Sequence, residues 1–348
     1  MVKVSVIMPV FNAEEYLKES IDCILNQSLS DWELICVDDG SSDSSLDMLN
    51  DFKTKDERIK VYHQENRGGG AARNVALTHA TGEYVYFMDA DDSIKENALE
   101  KLYQLCEEKN LDFTIFKAIN YDEDTDRYYE TPDYSMEKIA EFAKDKIFAF
   151  EDLGDLIFNI TVTPWSKFYN REFVEKSGAQ FAEGLIFHDN VFFWEVLFNA
   201  KRIFFLDEFL YTRRRHSASS TGAGDKRYAN IIIIVNRNIE LFFKYGQFEK
   251  FKHILYNKKV FWIYMRYENI QDKYRQFFFD EMKRDFSKML AHERYEEFIS
   301  LLNHKNRSIF EACVENATTD DFDRQLSKSL KSNKIKKAFN KAKGLFKK

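Results

Sequence analysis

Three carboxylates, Asp89, Asp91 and Asp92, close an apolar run in the stretch EYVYFMDADDSI at residues 83–94. Like charges this close repel, so they need solvent, a basic partner or a cation. Extended backbone alternates its side chains, which predicts Asp89 and Asp91 on the same side. Hard carboxylate oxygens so placed suit Mg2+ or Mn2+, which take oxygen ligands and share them with phosphates. An acidic turn satisfies the same residues, with Asp92 starting the helix that follows. Asp38 and Asp39 stand at another strand end in VDDGSSD, a pattern that also suits an Asx turn feeding a helix cap. The run NRGGGAARN sets consecutive glycines before a helix, which permits close backbone approach to a ligand. It is not the dinucleotide fingerprint, because no such pattern opens the helix after the first strand. In YTRRRHSASST, strand alternation puts Arg213 and Arg215 on one face, with Arg214 and His216 opposite.

These residues need a scaffold that brings strand ends together. KVSVIM at 3–8 is a short apolar run ended by Pro9, and a helical pattern follows with Tyr16, Leu17, Ile21, Ile24 and Leu25 on one face. WELICVDD, IKVYHQ and YVYFMDADD read as further strands, separated by helices over about 43–55 and after the glycine run. Strands alternating with helices predict a parallel α/β sheet, whose sites gather at the carboxyl ends of strands. Residues 9–12, 38–40, 66–70 and 89–92 all fall there. A further helix and the strand DFTIFKA follow, then a polar insertion at 121–135 and shorter elements to about 222. Beyond 225 the pattern becomes helical, with almost no Gly or Pro up to 330. The expected division is a catalytic domain over 1–224, split near 120 into nucleotide-binding and acceptor halves, then a helical domain over 225–330 and a tail at 331–348.

Composition narrows the class. With 348 residues, 44% hydrophobic and 31% charged, the chain has enough apolar material for a real core. A net charge of -7 argues against a nucleic-acid binder. Cys23, Cys36, Cys106 and Cys313 are far apart among apolar neighbours, which predicts buried free thiols rather than a disulfide framework or zinc site. The first residues lack a signal-peptide pattern, and no window reaches the ~20 apolar residues of a spanning helix. A cytoplasmic location is expected.

Six motifs in order, VIMPVFNAEEYL, ELICVDDGSSD, NRGGGAARNVAL, GEYVYFMDADD, WSKFYN and FHDNVFF, resemble the family 2 glycosyltransferases of the bacterial surface-polysaccharide type. They cover about the first 220 residues. The resemblance implies a GT-A fold, a Rossmann-like, mostly parallel sheet flanked by helices, here followed by an all-helical region. It implies Asp91 as the ligand of a Mn2+ or Mg2+ cofactor, with Asp89 beside the metal or ribose and His216 completing the site. It further implies that Asp39 accepts the imide N–H of uracil, and that Phe11, where a Tyr is more frequent, stacks on the base. Pro9, Asn12 and Glu14 would shape that pocket with Gly40, Asn66 and Gly68. Arg73, followed by Asn74, would hold the nucleotide, and Arg213 the diphosphate. Trp165 and Lys167 would line the sugar or acceptor site. Asp189 would be the general base, with His188 in place of the usual Glu.

The reading is an inverting, metal-dependent transfer from a nucleotide-sugar, UDP-linked, to a saccharide or lipid-linked saccharide acceptor. A nucleotidyltransferase would want a glycine-rich basic loop after the first strand, where PVFNAEEY stands. A catalytically silent sugar-nucleotide-binding protein is the other alternative, against which the acidic residues argue. The last 18 residues carry eight lysines and no acid, with Ile335, Phe339, Ala342 and Phe346 at helical spacing. That pattern suits an anionic membrane surface and a peripheral position at the inner face of the cell membrane. The aromatic helices between 228 and 302 suit a bundle or a homo-oligomer contact.

Overall fold

A computed structural model describes residues 1–216 and 224–330. The basic tail therefore lies outside the described residues. The chain forms two compact units, 1–220 and 221–348.

The first unit is built on one nine-stranded sheet. Its strands are β1 (Val4–Val10), β2 (Trp32–Asp38), β3 (Ile59–His63), β4 (Tyr84–Phe87), β5 (Ser93–Ile94), β6 (Phe113–Asp122), β7 (Arg127–Tyr129), β8 (Lys167–Asn170) and β9 (Ile203–Arg215). The order is β3-β2-β1-β4-β8-β6-β9-β5, with β7 on β6. The first four strands run parallel, as their alternation with helices predicts, and β1, β2 and β4 are buried along nearly their whole length. The parallel run ends at β4. β8 enters antiparallel between β4 and β6, so the sheet as a whole is mixed.

Register decides which loops meet. Val10 pairs with Asp38 and Asp38 with His63, so the loops after β1, β2 and β3 leave the sheet side by side. The two-residue β5 pairs with β9 at Ser93–Thr212 and Ile94–Tyr211. That short ladder ties the acidic stretch after β4 to the far end of a strand more than a hundred residues away. A bulge opposite Phe116–Ala118 resets the β6–β9 register and brings Arg213 beside Asn120.

The second unit is helical, with helices Asn230–Lys244, Phe248–Glu268, Arg275–Leu290, Tyr295–Leu301 and His304–Glu315, and helical residues 319–330. Phe242, Phe251, Phe278, Phe279, Phe286, Phe298, Phe310 and Phe322 fill its core. Buried within it, Lys259 Nζ meets Asp285 Oδ2 at 2.6 Å and Asn236 Oδ1 at 2.6 Å, a triad that links three helices. Among the described residues, no helix is long and apolar enough to cross a membrane.

Candidate active site

The acidic cluster forms in a turn, not on the strand. β4 stops at Phe87, and the Asp92 N–H reaches back to the Asp89 carbonyl at 3.4 Å. Turn geometry, rather than strand alternation, thus gathers carboxylate oxygens of Asp89, Asp91 and Asp92 within 4.8 Å of one another. Nor does Asp92 start a helix: β5 follows it directly, and the next helix begins at Ala98.

Each carboxylate has its own compensation. Arg73, nearly buried at the first turns of the helix Gly69–Thr78, pairs through Nη2 with Asp89. Burial pushes the Asp89 carboxyl up, Arg73 opposes this, and Asp91 and Asp189 add to the rise. His216 Nε2 lies 3.0 Å from Asp91 Oδ2. That contact raises the His216 pKa, and burial works against it. The ring rests against Tyr16 at 4.5 Å, and its buried Nδ1 has no partner among the described residues. Asp92 is buried and held by the Tyr211 hydroxyl at 2.5 Å and the Arg214 N–H at 2.7 Å. Burial, then the neighbouring Asp91 and Asp89, push its carboxyl well above the ordinary range, favouring the neutral acid.

Two half-exposed carboxylates, with the His216 Nε2 beside one of them, are a donor set that fits a hard divalent cation. Asp89, Asp91 and His216 are therefore brought together in a way compatible with the expected metal site. Asp92 instead anchors the turn to β9.

Asp189 sits at the first position of the helix Asp189–Asn199, and the preceding Phe187 has a left-handed φ of 64°. His188 Nδ1 is 2.8 Å from Asp189 Oδ1, while its Nε2 faces Arg73 Nη1 at 3.3 Å. Burial would raise the Asp189 carboxyl, but His188, Arg73 and Lys167 outweigh it and the pKa is lowered. Arg73 itself is pulled down by burial, yet Asp89 and Asp189 keep it above its usual value. One guanidinium thus stands between the acidic turn and Asp189.

The other predicted residues divide into two groups. Phe11 is 51% exposed, so its ring face is open to a ligand. Asn12 and Glu14 are engaged internally: Asn12 Oδ1 accepts the Ser42 N–H at 2.8 Å, and Glu14 Oε2 accepts that of Ser44 at 2.9 Å. They clamp the loop after β1 to the loop after β2, while Pro9 sits half-buried within β1. Buried Asp39 accepts the Arg67 and Gly68 N–H groups, each at 2.8 Å, and the Gln64 amide at 2.7 Å. It therefore shapes the loop that carries exposed Asn66. Gly40, with φ +75°, packs so tightly that a Cβ would stand 2.9 Å from the Asn66 nitrogen. The close approach permitted at the glycine run is to the protein itself, since a Cβ on Gly70 would meet the Ala182 carbonyl oxygen at 2.8 Å.

Trp165 and Lys167 lie behind the site rather than on its surface. Trp165 stacks on Tyr211 with centroids 4.6 Å apart, and so backs the residue that holds Asp92. Lys167 is fully buried and donates to the Thr161 and Thr163 carbonyls at 2.6 and 2.8 Å. Burial pulls its pKa down to about 7, with Asp189 opposing. Arg213 lies over the Tyr134 ring at 5.7 Å. Sequence reasoning missed Tyr211, whose hydroxyl also accepts the Asp89 N–H at 3.4 Å. Arg214, expected on the face of His216, reaches the Asp91 carbonyl with its guanidinium at 3.1 Å. The only signal for Tyr211 was membership of the strand YTRRR.

Residues 5–177 match the family model described as Glycosyl transferase family 2. The chain is 36% identical over 222 residues to Glycosyltransferase GlyG of Streptococcus pneumoniae, an alignment covering 62% of this chain and 72% of that one. It is 31% identical over 227 residues to the Cholesterol galactosyltransferase of Borreliella burgdorferi, covering 64% and 62% of the two chains. The fold is similar to that of S. aureus TarS 1-349 in complex with UDP-GlcNAc, with a TM-score of 0.69 and 20% identity over 96% of this chain and 92% of that one.

Proposed function

The chain belongs to glycosyl transferase family 2 and is a glycosyltransferase, and from that premise we propose that it moves a sugar from a UDP-linked donor to an acceptor hydroxyl with inversion. The observation that carries this reading is the meeting of Asp89, Asp91 and His216 on one side of Arg73 with Asp189 on the other. The UDP-GlcNAc complex of the similarly folded TarS supports the choice of donor.

Asp91 and Asp89, with His216, would hold Mn2+ or Mg2+ on the donor. When bound, such a cation offsets the charge that develops on the leaving diphosphate. Arg73 stays cationic between its carboxylates and adds positive charge at the same place. Arg213, on the other face of β9 from Arg214, is the second candidate for the diphosphate, where guanidinium geometry suits a bidentate contact. Phe11 offers an exposed ring for the uracil, and Asp39 keeps the neighbouring loop in shape beneath it. Asp189, ionised by its surroundings, takes the proton from the acceptor hydroxyl as that oxygen attacks the anomeric carbon.

The acceptor is proposed to be a saccharide, free or lipid-linked, in the assembly of a surface polysaccharide. The basic residues 331–348 would bring the enzyme to the inner face of the membrane, and the helical unit is the proposed oligomer contact. The deciding experiment is turnover of a UDP-sugar panel with Mn2+. Undiminished activity in Asp91→Ala and Asp189→Asn would sink the assignment.

A further inference from the structure

His188 lies between Arg73 and Asp189. Arg73 Nη1 has only hydrogens to offer, so the His188 Nε2 facing it at 3.3 Å acts as acceptor. The ring proton then belongs on Nδ1, the atom 2.8 Å from Asp189 Oδ1. That N–H and the carboxylate are within ion-pair distance but not yet in hydrogen-bond alignment. Such slack is common before substrate tightens a site.

The surroundings hold the ring in this orientation. Its edge meets Phe181 with centroids 5.6 Å apart. On the other side the glycine run makes room: a Cβ on Gly70 would stand 3.1 Å from His188 Cγ, and one on Gly69 would stand 3.7 Å from Nε2. Asn74 fixes the same wall, exchanging hydrogen bonds with the Phe181 backbone at 2.9 and 3.0 Å. The left-handed Phe187 carbonyl accepts both the N–H and the side-chain amide of Asn190, at 3.2 and 3.1 Å, which locks the backbone around residues 188–189.

The geometry points to His188 as a positioning residue for Asp189, fixed in its tautomer by Arg73. When the acceptor tightens the site, the His188 Nδ1–H takes Asp189 Oδ1 and leaves Oδ2 to the acceptor hydroxyl. Because Arg73 also pairs with Asp89, the orientation of the base depends on the residue that serves the donor side. This rests on the proposed role of Asp189 as base, and deepens it.

The test compares His188→Asn with His188→Gln in the full chain, using whichever UDP-sugar the wild type turns over. Asn keeps an N–H near the Nδ1 position, whereas the longer Gln amide reaches toward Nε2 and leaves Asp189 without its donor. In His188→Asn kcat is expected within about threefold of wild type, and in His188→Gln it falls roughly 10–100-fold. The donor KM stays within about twofold in both, since the change acts on proton transfer rather than on binding. Equal kcat values for the two variants, or wild-type kcat in His188→Gln, overturn the proposal. An inactive Asp189→Asn beside a fully active His188→Gln would remove this inference and leave the transferase reading intact. Undiminished turnover in Asp189→Asn would remove both.

Discussion

His216 Nε2 lies 3.0 Å from Asp91 Oδ2, although 125 residues separate the two along the chain. The contact exists because β9 carries its last residues past the turn that ends β4, with β5 as the fastener. If this pair serves a cation, Asp91→Asn should lower kcat/KM by about 100-fold or more. His216→Ala should instead raise the half-saturating Mn2+ concentration roughly 10–100-fold. A Mn2+ titration of activity separates the two effects, and activity that survives EDTA would contradict both.

Tyr211→Phe removes the hydroxyl that holds Asp92 and accepts the Asp89 N–H. Leaving buried polar groups unpaired costs about 1–3 kcal/mol, visible in urea unfolding. Trp165→Ala takes away the stacked support and should cost about 3–5 kcal/mol. Both should also lower turnover, because the acidic turn loses its tether. Wild-type stability in Tyr211→Phe would mean that the turn holds itself.

Lys167 gives a pH signature. Its pKa in the folded protein is about 7, below the ordinary lysine value of 10.5 that the unfolded chain would show. Between these two values the unfolded state binds more protons, so stability rises with pH across that window. One such group contributes a slope of up to about 1.4 kcal/mol per pH unit. Wild type should therefore gain stability relative to Lys167→Met on going from pH 7 to pH 9. A difference that does not change with pH would show that the ammonium is not penalised by its burial.

Gly70→Ala places a methyl group 2.8 Å from the Ala182 carbonyl oxygen and 3.1 Å from His188. The helix Gly69–Thr78 must shift, at a cost of about 1–3 kcal/mol, and turnover should fall because His188 and Arg73 move with it. Gly40→Ala meets a positive φ as well as the Asn66 nitrogen, and should be at least as destabilising. Thermal unfolding and activity of both variants are the measurement. A neutral Gly70→Ala would show that the loop around 182–188 yields easily.

Deleting residues 331–348 removes eight lysines. Co-sedimentation with vesicles containing phosphatidylglycerol should disappear, while turnover of a water-soluble acceptor stays near wild type. Each lysine near an anionic surface contributes about 1 kcal/mol, so added salt should weaken wild-type binding steeply. Retained vesicle binding after deletion would place the membrane contact elsewhere.

Much of the neighbourhood of the candidate site was legible in the sequence because strand ends are marked by abrupt changes from apolar to acidic residues. The runs ending at Asp38 and Phe87 announce both their strands and the loops beyond them. Gly40 and the glycine run announce tight backbone approach, though not what approaches. Residue type does not reveal whether a polar group is already satisfied. Asn12 and Glu14 look available and are bonded to a neighbouring loop. Lys167 looks like a ligand and is enclosed among carbonyls.

By itself the sequence determined the alternating elements, the acidic strand ends and the change to helices after 225, since periodicity and local turn chemistry are properties of neighbouring residues. Tertiary structure alone decided that Asp91 meets His216, that Asp92 belongs to Tyr211, and that Arg73 stands between Asp89 and His188. Those contacts depend on the register of β5 against β9 and on the seating of His188 over the glycine run. Register and seating are settled by packing between distant segments, which no local pattern encodes.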